Sequence, residues 1–156
     1  MKILEAIEDH YGDIAALPSC AEELYLVHPN GTFPWDVDQL KALAADGSDL
    51  TVAVKEDKVI AFANLYDVIP GKSAFIGNVI VDTEHRGQGV GKAVVERLVD
   101  ICQKQYQAIP NISVFSVNES ALLMYASMGF MPSSIEERQD PEGNRVDLIH
   151  MEYLKQ

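Results

Sequence analysis

Midway along the chain a run of branched apolar residues breaks into a knot of glycines. Residues 76–92 read IGNVIVDTEHRGQGVGK. Glycine is a poor residue inside strands and helices, so regular structure must stop and turn at Gly87, Gly89 and Gly91. Beyond the turn Val94, Val95, Leu98, Val99, Ile101 and Cys102 recur at helical spacing, which predicts an amphipathic helix from about Val90 to Tyr106. A strand, a glycine turn and a helix in that order leave backbone amides and the positive helix end aimed at one point, a site for a phosphate or pyrophosphate. Arg86 and Lys92 add positive charge there, within a chain of 12 Lys+Arg against 24 Asp+Glu.

Two common glycine-rich phosphate motifs do not fit. A P-loop requires G-x-x-x-x-G-K-[ST], and here Ala93 follows Lys92. A dinucleotide fingerprint requires G-x-G-x-x-G at the start of a βαβ unit, and G-Q-G-V-G is not that. Glycines serving only a tight turn would leave the flanking Arg86 and Lys92 unexplained.

The remaining elements bound the fold. Lys2–Ile7 reads as a strand, Asp9 as a cap for a helix to about Ala16, and Ser19 as a cap for a second to about Val27. A Pro-rich loop, His28–Trp35, precedes a helix capped by Asp36 and ended near Gly47. Leu50–Lys55 and Val59–Tyr66 form a hairpin about Glu56-Asp57-Lys58, and Ala74–Val81 follows a Pro70-Gly71 turn. Downstream come a strand over Ile112–Val117, a helix over Ser120–Met128 stopped by Gly129, and two closing strands, Met131–Glu137 and Val146–Tyr153. Strands that precede the long helix, with a β-α-β unit after them, predict a mixed α/β sheet, not a doubly wound one.

The net charge of −12 repels nucleic acid phosphates and anionic lipid headgroups, which argues against nucleic acid and membrane partners. It mildly favours a cationic small molecule or basic peptide end as substrate, although acidity also serves solubility. Length, 156 residues, suits a single domain over 1–156. Two distant cysteines, Cys20 and Cys102, show no metal-ligand spacing with the histidines and suit a reducing compartment. With acids inside its first ten residues, the N-terminus reads as no signal peptide, so a cytoplasmic location is expected.

The run V-I-V-D-T-E-H-R-G-Q-G-V-G-K resembles motif A of the GNAT acetyltransferase superfamily, with its [RQ]-x-x-G-x-[GA] pyrophosphate loop. Val117-Asn118-Glu119-Ser120-Ala121-Leu122-Leu123-Met124-Tyr125, followed by Gly129-Phe130, resembles motif B. The resemblance spans about residues 50–154. It implies a central, mostly antiparallel sheet of about six or seven strands, flanking helices and a splayed CoA-binding cleft. It implies acetyl-CoA as cosubstrate, its pyrophosphate on Arg86, Gly87, Gln88, Gly89, Val90, Gly91 and Lys92. The pantetheine arm would lie along Val79, Ile80 and Val81, with Asn118 nearby and Tyr125 as the acid that protonates the leaving thiolate. The activity so implied is N-acetyl transfer to a primary amine of a small molecule or peptide. Relatives that pair through sheet edges or helices make a homodimer compatible with the resemblance.

One departure from the pattern stands out. Some relatives carry a Glu near the start of the strand before the loop, and Ser73–Asn78 here contains no carboxylate. The general base is therefore open among Asn78 (orienting a water), Glu22, Glu23, Tyr66, Glu137 and His150, each more easily read as structural. The same absence motivates an alternative, a CoA-binding sensor or pseudoenzyme without transfer, against which the retained Tyr125 counts. A third reading keeps the enzyme and changes the acyl group to propionyl or succinyl. Phe33 and Trp35 could line an acceptor site or pin their loop to the core, His28 reads as a surface residue, and Glu136-Glu137 could attract a cationic amine.

Overall fold

A computed structural model describes residues 1–155. Among them lie seven strands: β1 (Lys2–Glu5), β2 (Ser48–Lys55), β3 (Lys58–Ile69), β4 (Ser73–Val81), β5 (Ile109–Phe115), β6 (Phe130–Gln139) and β7 (Arg145–Tyr153). They form one sheet in the order β1-β2-β3-β4-β5-β7-β6. Every adjacent pair is antiparallel except β4 and β5. The five α-helices are α1 (Tyr11–Ala15), α2 (Ala21–Val27), α3 (Val37–Asp46), α4 (Val90–Gln105) and α5 (Glu119–Met128).

The parallel pair requires a crossover, and α4 supplies it. Its buried residues Val94, Val95, Leu98, Val99 and Cys102 form the stripe that the sequence spacing predicts. That stripe packs on Ile60, Leu65, Ile76, Ile112 and Val114, making the larger core on one face of the sheet. On the other face α1–α3 cover a second core around Ile14, Leu24, Leu40, Trp35, Phe62 and Ile80. The helices thus clamp β2–β4 from both sides, and the half of the sheet toward β5–β7 keeps one face more open.

The parallel pairing is short. Registered pairs run only from Ser73 opposite Ile109 to Ile76 opposite Ile112. β5 then continues with β7 as far as Phe115 opposite Leu148, while β4 continues with β3 as far as Val81 opposite Ala61. The two strands part after Ile76 in the V-shaped splay that the resemblance implies. A bulge in β4 sits at the point of parting: Gly77 faces Asn64 and Ile80 faces Phe62, with Asn78 at φ +57° between them. Bulges re-aim a strand in this way.

Local signals were sound where one side chain decides them. The Asp36 carboxylate accepts a 2.9 Å hydrogen bond from the Gln39 amide and caps α3, and Gly129 ends α5 at φ +110°. Asp9 does not cap the first helix. A 3-10 turn, Glu8–His10, leads into α1, and the His10 imidazole accepts from the Ile7 amide at 3.1 Å. Ser19 likewise does not cap α2, which starts at Ala21. Its amide donates instead to the Glu23 carboxylate at 2.9 Å, a long side chain reaching back where a short hydroxyl was expected.

Leu98→Ala should lower stability by about 2–5 kcal/mol, as large-to-small changes at sealed core positions do. Asp36→Ala should cost about 1 kcal/mol. Urea unfolding followed by circular dichroism measures both.

Candidate active site

The splay opens a cleft of about 520 Å³. β4 from Val79 to Val81 makes one wall, α5 with Asn118, Met124 and Tyr125 the other, and α2 with Glu23, Leu26 and Val27 overhangs the opening. The loop Arg86–Gly89 and the first turn of α4 close one end. Val79 and Val81 pack toward the α4 core, while Ile80 turns its side chain into the second core, so its backbone is what it offers to the cleft.

The loop is shaped by its glycines. Gly87 and Gly89 take φ +76° and +81°, the left-handed region that side chains resist. Nothing lies within 4 Å of where a Cβ would stand on either, so backbone conformation selects glycine at both. Gly91 differs: a Cβ there would come within 3.2 Å of Val81, which holds the start of α4 tight against β4. No backbone carbonyl accepts from the amides of residues 87–92 among the described residues. Gly87, Gly89, Val90, Gly91 and Lys92 line this end of the cleft, with the α4 dipole behind them.

The two cations of the loop are not free charges. Arg86 donates to both carboxylate oxygens of Glu23 at 3.2 Å and to the Val81 carbonyl at 3.1 Å. Lys92 stands 3.9 Å from Glu96 one turn along α4. The local reversal of sign suggested by the sequence is therefore largely neutralised, because α2 folds its acid onto the loop. The Arg86 guanidinium, through that hydrogen bond, holds the Glu23 carboxyl below the usual carboxylate range. Gln88 is exposed, its side chain turned back to the Glu84 carbonyl at 3.4 Å, and it does not line the cleft.

At the far end stands Tyr125, 4% exposed, its ring edge-on to Phe130. Burial pushes its phenol well above the ordinary tyrosine range, so it stays protonated at neutral pH. Asn118 occupies the cap position of α5 but makes no side-chain cap bond. Both residues line the cleft and also a smaller cavity of about 30 Å³ in the crotch between β4 and β5.

Around that crotch lies a polar chain that the sequence did not suggest. Asn64, 1% exposed, donates to the Leu65 carbonyl at 2.9 Å and accepts from the Asn78 amide at 2.6 Å. Asn78 Oδ1 lies 2.9 Å from His28 Nδ1. A carbonyl only accepts, so the orientation propagates outward and puts the proton of a neutral His28 on Nδ1. Burial lowers the His28 pKa and keeps that ring neutral. His28 is thus half-buried and partnered, not a surface residue, and it leans on Trp35 at 5.6 Å between centroids. Trp35 is a core anchor and Phe33 is exposed.

The other candidate bases are distributed. Glu23 is held by Arg86, Glu137 lies 3.4 Å from Arg145 on the exposed β6–β7 ribbon, and Glu22 lies 3.9 Å from Cys20. Tyr66 lies across Gly77, where a Cβ would sit 2.5 Å from its ring, and burial raises its pKa. His150 bridges Ser113 and Glu136, at 2.7 and 3.1 Å. Ser113 was missed by the sequence reading, although its place between Ile112 and Val114 already marked it as facing away from the core.

The profile of the acetyltransferase (GNAT) family matches residues 13–130. The chain belongs to that family. It is an acyltransferase, and acetyl-CoA is its acyl donor. It is 28% identical over 120 residues to the ribosomal protein bS18-alanine N-acetyltransferase of Escherichia coli K12, a match covering 76% of this chain and 80% of that one. Human N-acetyltransferase 8 is 30% identical over 92 residues, covering 56% of this chain and 40% of its own. Among solved structures, yncA of Salmonella typhimurium, determined with its cofactor acetyl-CoA, superposes with a TM-score of 0.77 at 19% identity, covering 100% and 95% of the two chains. Smu.2055 of Streptococcus mutans gives 0.81 at 22%, covering 98% of each. At these identities the structural likeness is one of fold.

The residues of this acetyltransferase fit the donor on their own geometry: unpartnered amides at a helix start suit a pyrophosphate, and an unpaired strand stretch suits an amide-bearing arm. Gly89→Asp, which places a carboxylate and a strained φ in the loop, should weaken acetyl-CoA binding at least about tenfold, with circular dichroism showing a retained fold. Unchanged affinity in the folded variant would remove the loop from the donor site. Because Glu23 has a depressed pKa, its bond to Arg86 is intact above the ordinary carboxylate pKa and is lost as pH falls through the lowered value. Protection factors for the amides of α2, which correct for the intrinsic pH dependence of exchange, should accordingly fall in acid in the wild-type protein and be low already at neutral pH in Glu23→Gln.

Proposed function

We propose that this acetyltransferase moves the acetyl group of acetyl-CoA to a primary amine of a small molecule or a peptide, using the cleft between β4 and β5. The observation that carries this reading is the arrangement along one cleft: the open amides of residues 87–92 at one end, a buried phenol at the other. Bound there, acetyl-CoA would supply an acyl group whose C–S bond breaks as a C–N bond forms. Arg86, Gly87, Gly89, Val90, Gly91 and Lys92 would hold the pyrophosphate, Arg86 by exchanging Glu23 for it. Gln88 would contribute its backbone amide alone. Val79, Ile80 and Val81 would pair with the pantetheine arm, and Asn118 would hydrogen-bond to it.

Tyr125 is the acid in this scheme. Burial keeps the phenol protonated at neutral pH, as an acid must be, and it lines both the cleft and the crotch cavity where a thiolate would develop. A backbone amide near the bulge, Val79 or Val81, is the donor to the thioester carbonyl, a fixed dipole where negative charge gathers. The acidic surface and the E. coli relative, named for acetylating an alanine of a ribosomal protein, support a cationic acceptor that includes peptide N-termini. A cytoplasmic site of action accords with two free cysteines, one of them, Cys102, a core thiol that burial pushes up to about 12. No helix among the described residues is long and apolar enough to cross a membrane.

Calorimetric titration with acetyl-CoA, CoA and propionyl-CoA tests the donor, and thiol release tests the acceptor. The acceptor panel is an alanine-initiated peptide, a peptide with one internal lysine, and n-butylamine. Binding of acetyl-CoA with thiol release on at least one acceptor is expected; binding without release on any would leave a sensor. Tyr125→Phe should lower kcat by about 10²-fold with acetyl-CoA affinity unchanged, whereas equal loss of both would make Tyr125 a packing residue.

A further inference from the structure

The open face of the sheet carries a second polar cluster, built from the last three strands of the chain. Ser113 on β5 is registered opposite His150 on β7. A register shift in β6 between Pro132 and Ser134 brings Glu136 within reach of the same histidine. The Ser113 hydroxyl lies 2.7 Å from His150 Nδ1, and His150 Nε2 lies 3.1 Å from Glu136 Oε1.

The direction of these bonds follows from chemistry. An ionised carboxylate only accepts, so His150 donates through Nε2–H, and Nδ1 of the neutral ring is then a lone pair that accepts from the serine hydroxyl. Glu136 is ionised at neutral pH, since its bond to Arg138 and then that to His150 hold its carboxyl below the usual range. The inner end of the chain is Ser113, which lines the small cavity in the crotch of β4 and β5 together with Asn78, Val79 and Tyr125. A proton acceptor therefore reaches the place where the proposed acid stands, from the opposite side of the sheet.

We propose that Ser113, His150 and Glu136 form the base assembly of this enzyme, a relay that takes the proton from the acceptor's ammonium before attack. The inference rests on the transferase reading above and names the base which that reading leaves open. Ser113 Oγ accepts one proton from the ammonium as its own passes to His150 Nδ1. The imidazolium so formed is stabilised by the Glu136 carboxylate and later returns its proton to water. The neutral amine then forms the C–N bond as C–S breaks. The second proton lost by nitrogen replaces the one that Tyr125 gives to sulfur, so the reaction releases one proton overall. Ser113 touches the acceptor, and His150 and Glu136 act through it as positioning and proton-holding residues. A His150–Glu136 pair alone, with side chains 26% and 46% exposed, would be a surface ion pair of little worth. The link to a serine on the cavity wall is what gives it a route to the reaction.

Two measurements on the full chain test the proposal. Long-range ¹H–¹⁵N spectra should show His150 in the Nε2–H tautomer at neutral pH; an Nδ1–H tautomer would overturn the relay regardless of activity. Kinetics with the best acceptor of the panel should show kcat lowered about 10²-fold in Ser113→Ala and His150→Phe, with acetyl-CoA affinity unchanged. Ser113→Thr, which keeps the hydroxyl, should restore turnover. Wild-type rates in both variants, or no recovery of turnover in Ser113→Thr, would sink the relay and leave the transferase standing. A wild-type protein that acetylates no acceptor would instead remove the transferase reading, and the relay with it.

Discussion

The parting of β4 and β5 is the constraint on which the rest of this structure depends. Backbone amides and carbonyls inside a sheet must find partners, and a strand that leaves its neighbour midway abandons a row of them. Here the row belongs to β4 beyond Ile76, and the bulge at Asn78 turns it outward. The sheet tolerates this because β4 stays paired with β3 and β5 with β7, while α4 ties the two halves into one core. The unpaired stretch is a local edge in the interior of an open sheet, flanked by α2 and α5.

Charge is arranged around that opening by the fold, not by local composition. Arg86 and Lys92 stand beside the helix start, yet each meets an acid, Glu23 from α2 and Glu96 from α4. The amides of residues 87–92 and the helix dipole thus provide the fixed positive potential, while Arg86 is held by Glu23. The Glu23–Arg86 pair also latches α2 across the cleft.

The crotch of the splay gathers the polar groups that the two cores exclude. From one side come Asn64, Asn78 and His28, whose hydrogen bonds run outward from a single backbone carbonyl. From the other come Ser113, His150 and Glu136, oriented by a carboxylate. Tyr125 closes the site from the α5 side. Each chain has its proton positions fixed at one end by a group that can only accept, so the site is ordered before any ligand enters.

Much of this was legible in the chain itself. Period-2 and period-3.6 patterning located the strands and α4, since both depend on which residues can face a core. The glycine turn identified the loop, because left-handed φ at Gly87 and Gly89 is a local demand that few other residues meet. The family followed from the same residues. The tertiary structure decided what depends on contacts between distant segments: Glu23 meeting Arg86 across 63 positions, His28 meeting Asn78 across 50, Ser113 meeting His150 across 37. No local pattern encodes such pairs, because a side chain's charge, tautomer and exposure are set by whatever the fold brings beside it. The sequence therefore determined the glycine turn and the family, which rest on local residue patterns, and only the fold decided which distant side chains meet around the cleft.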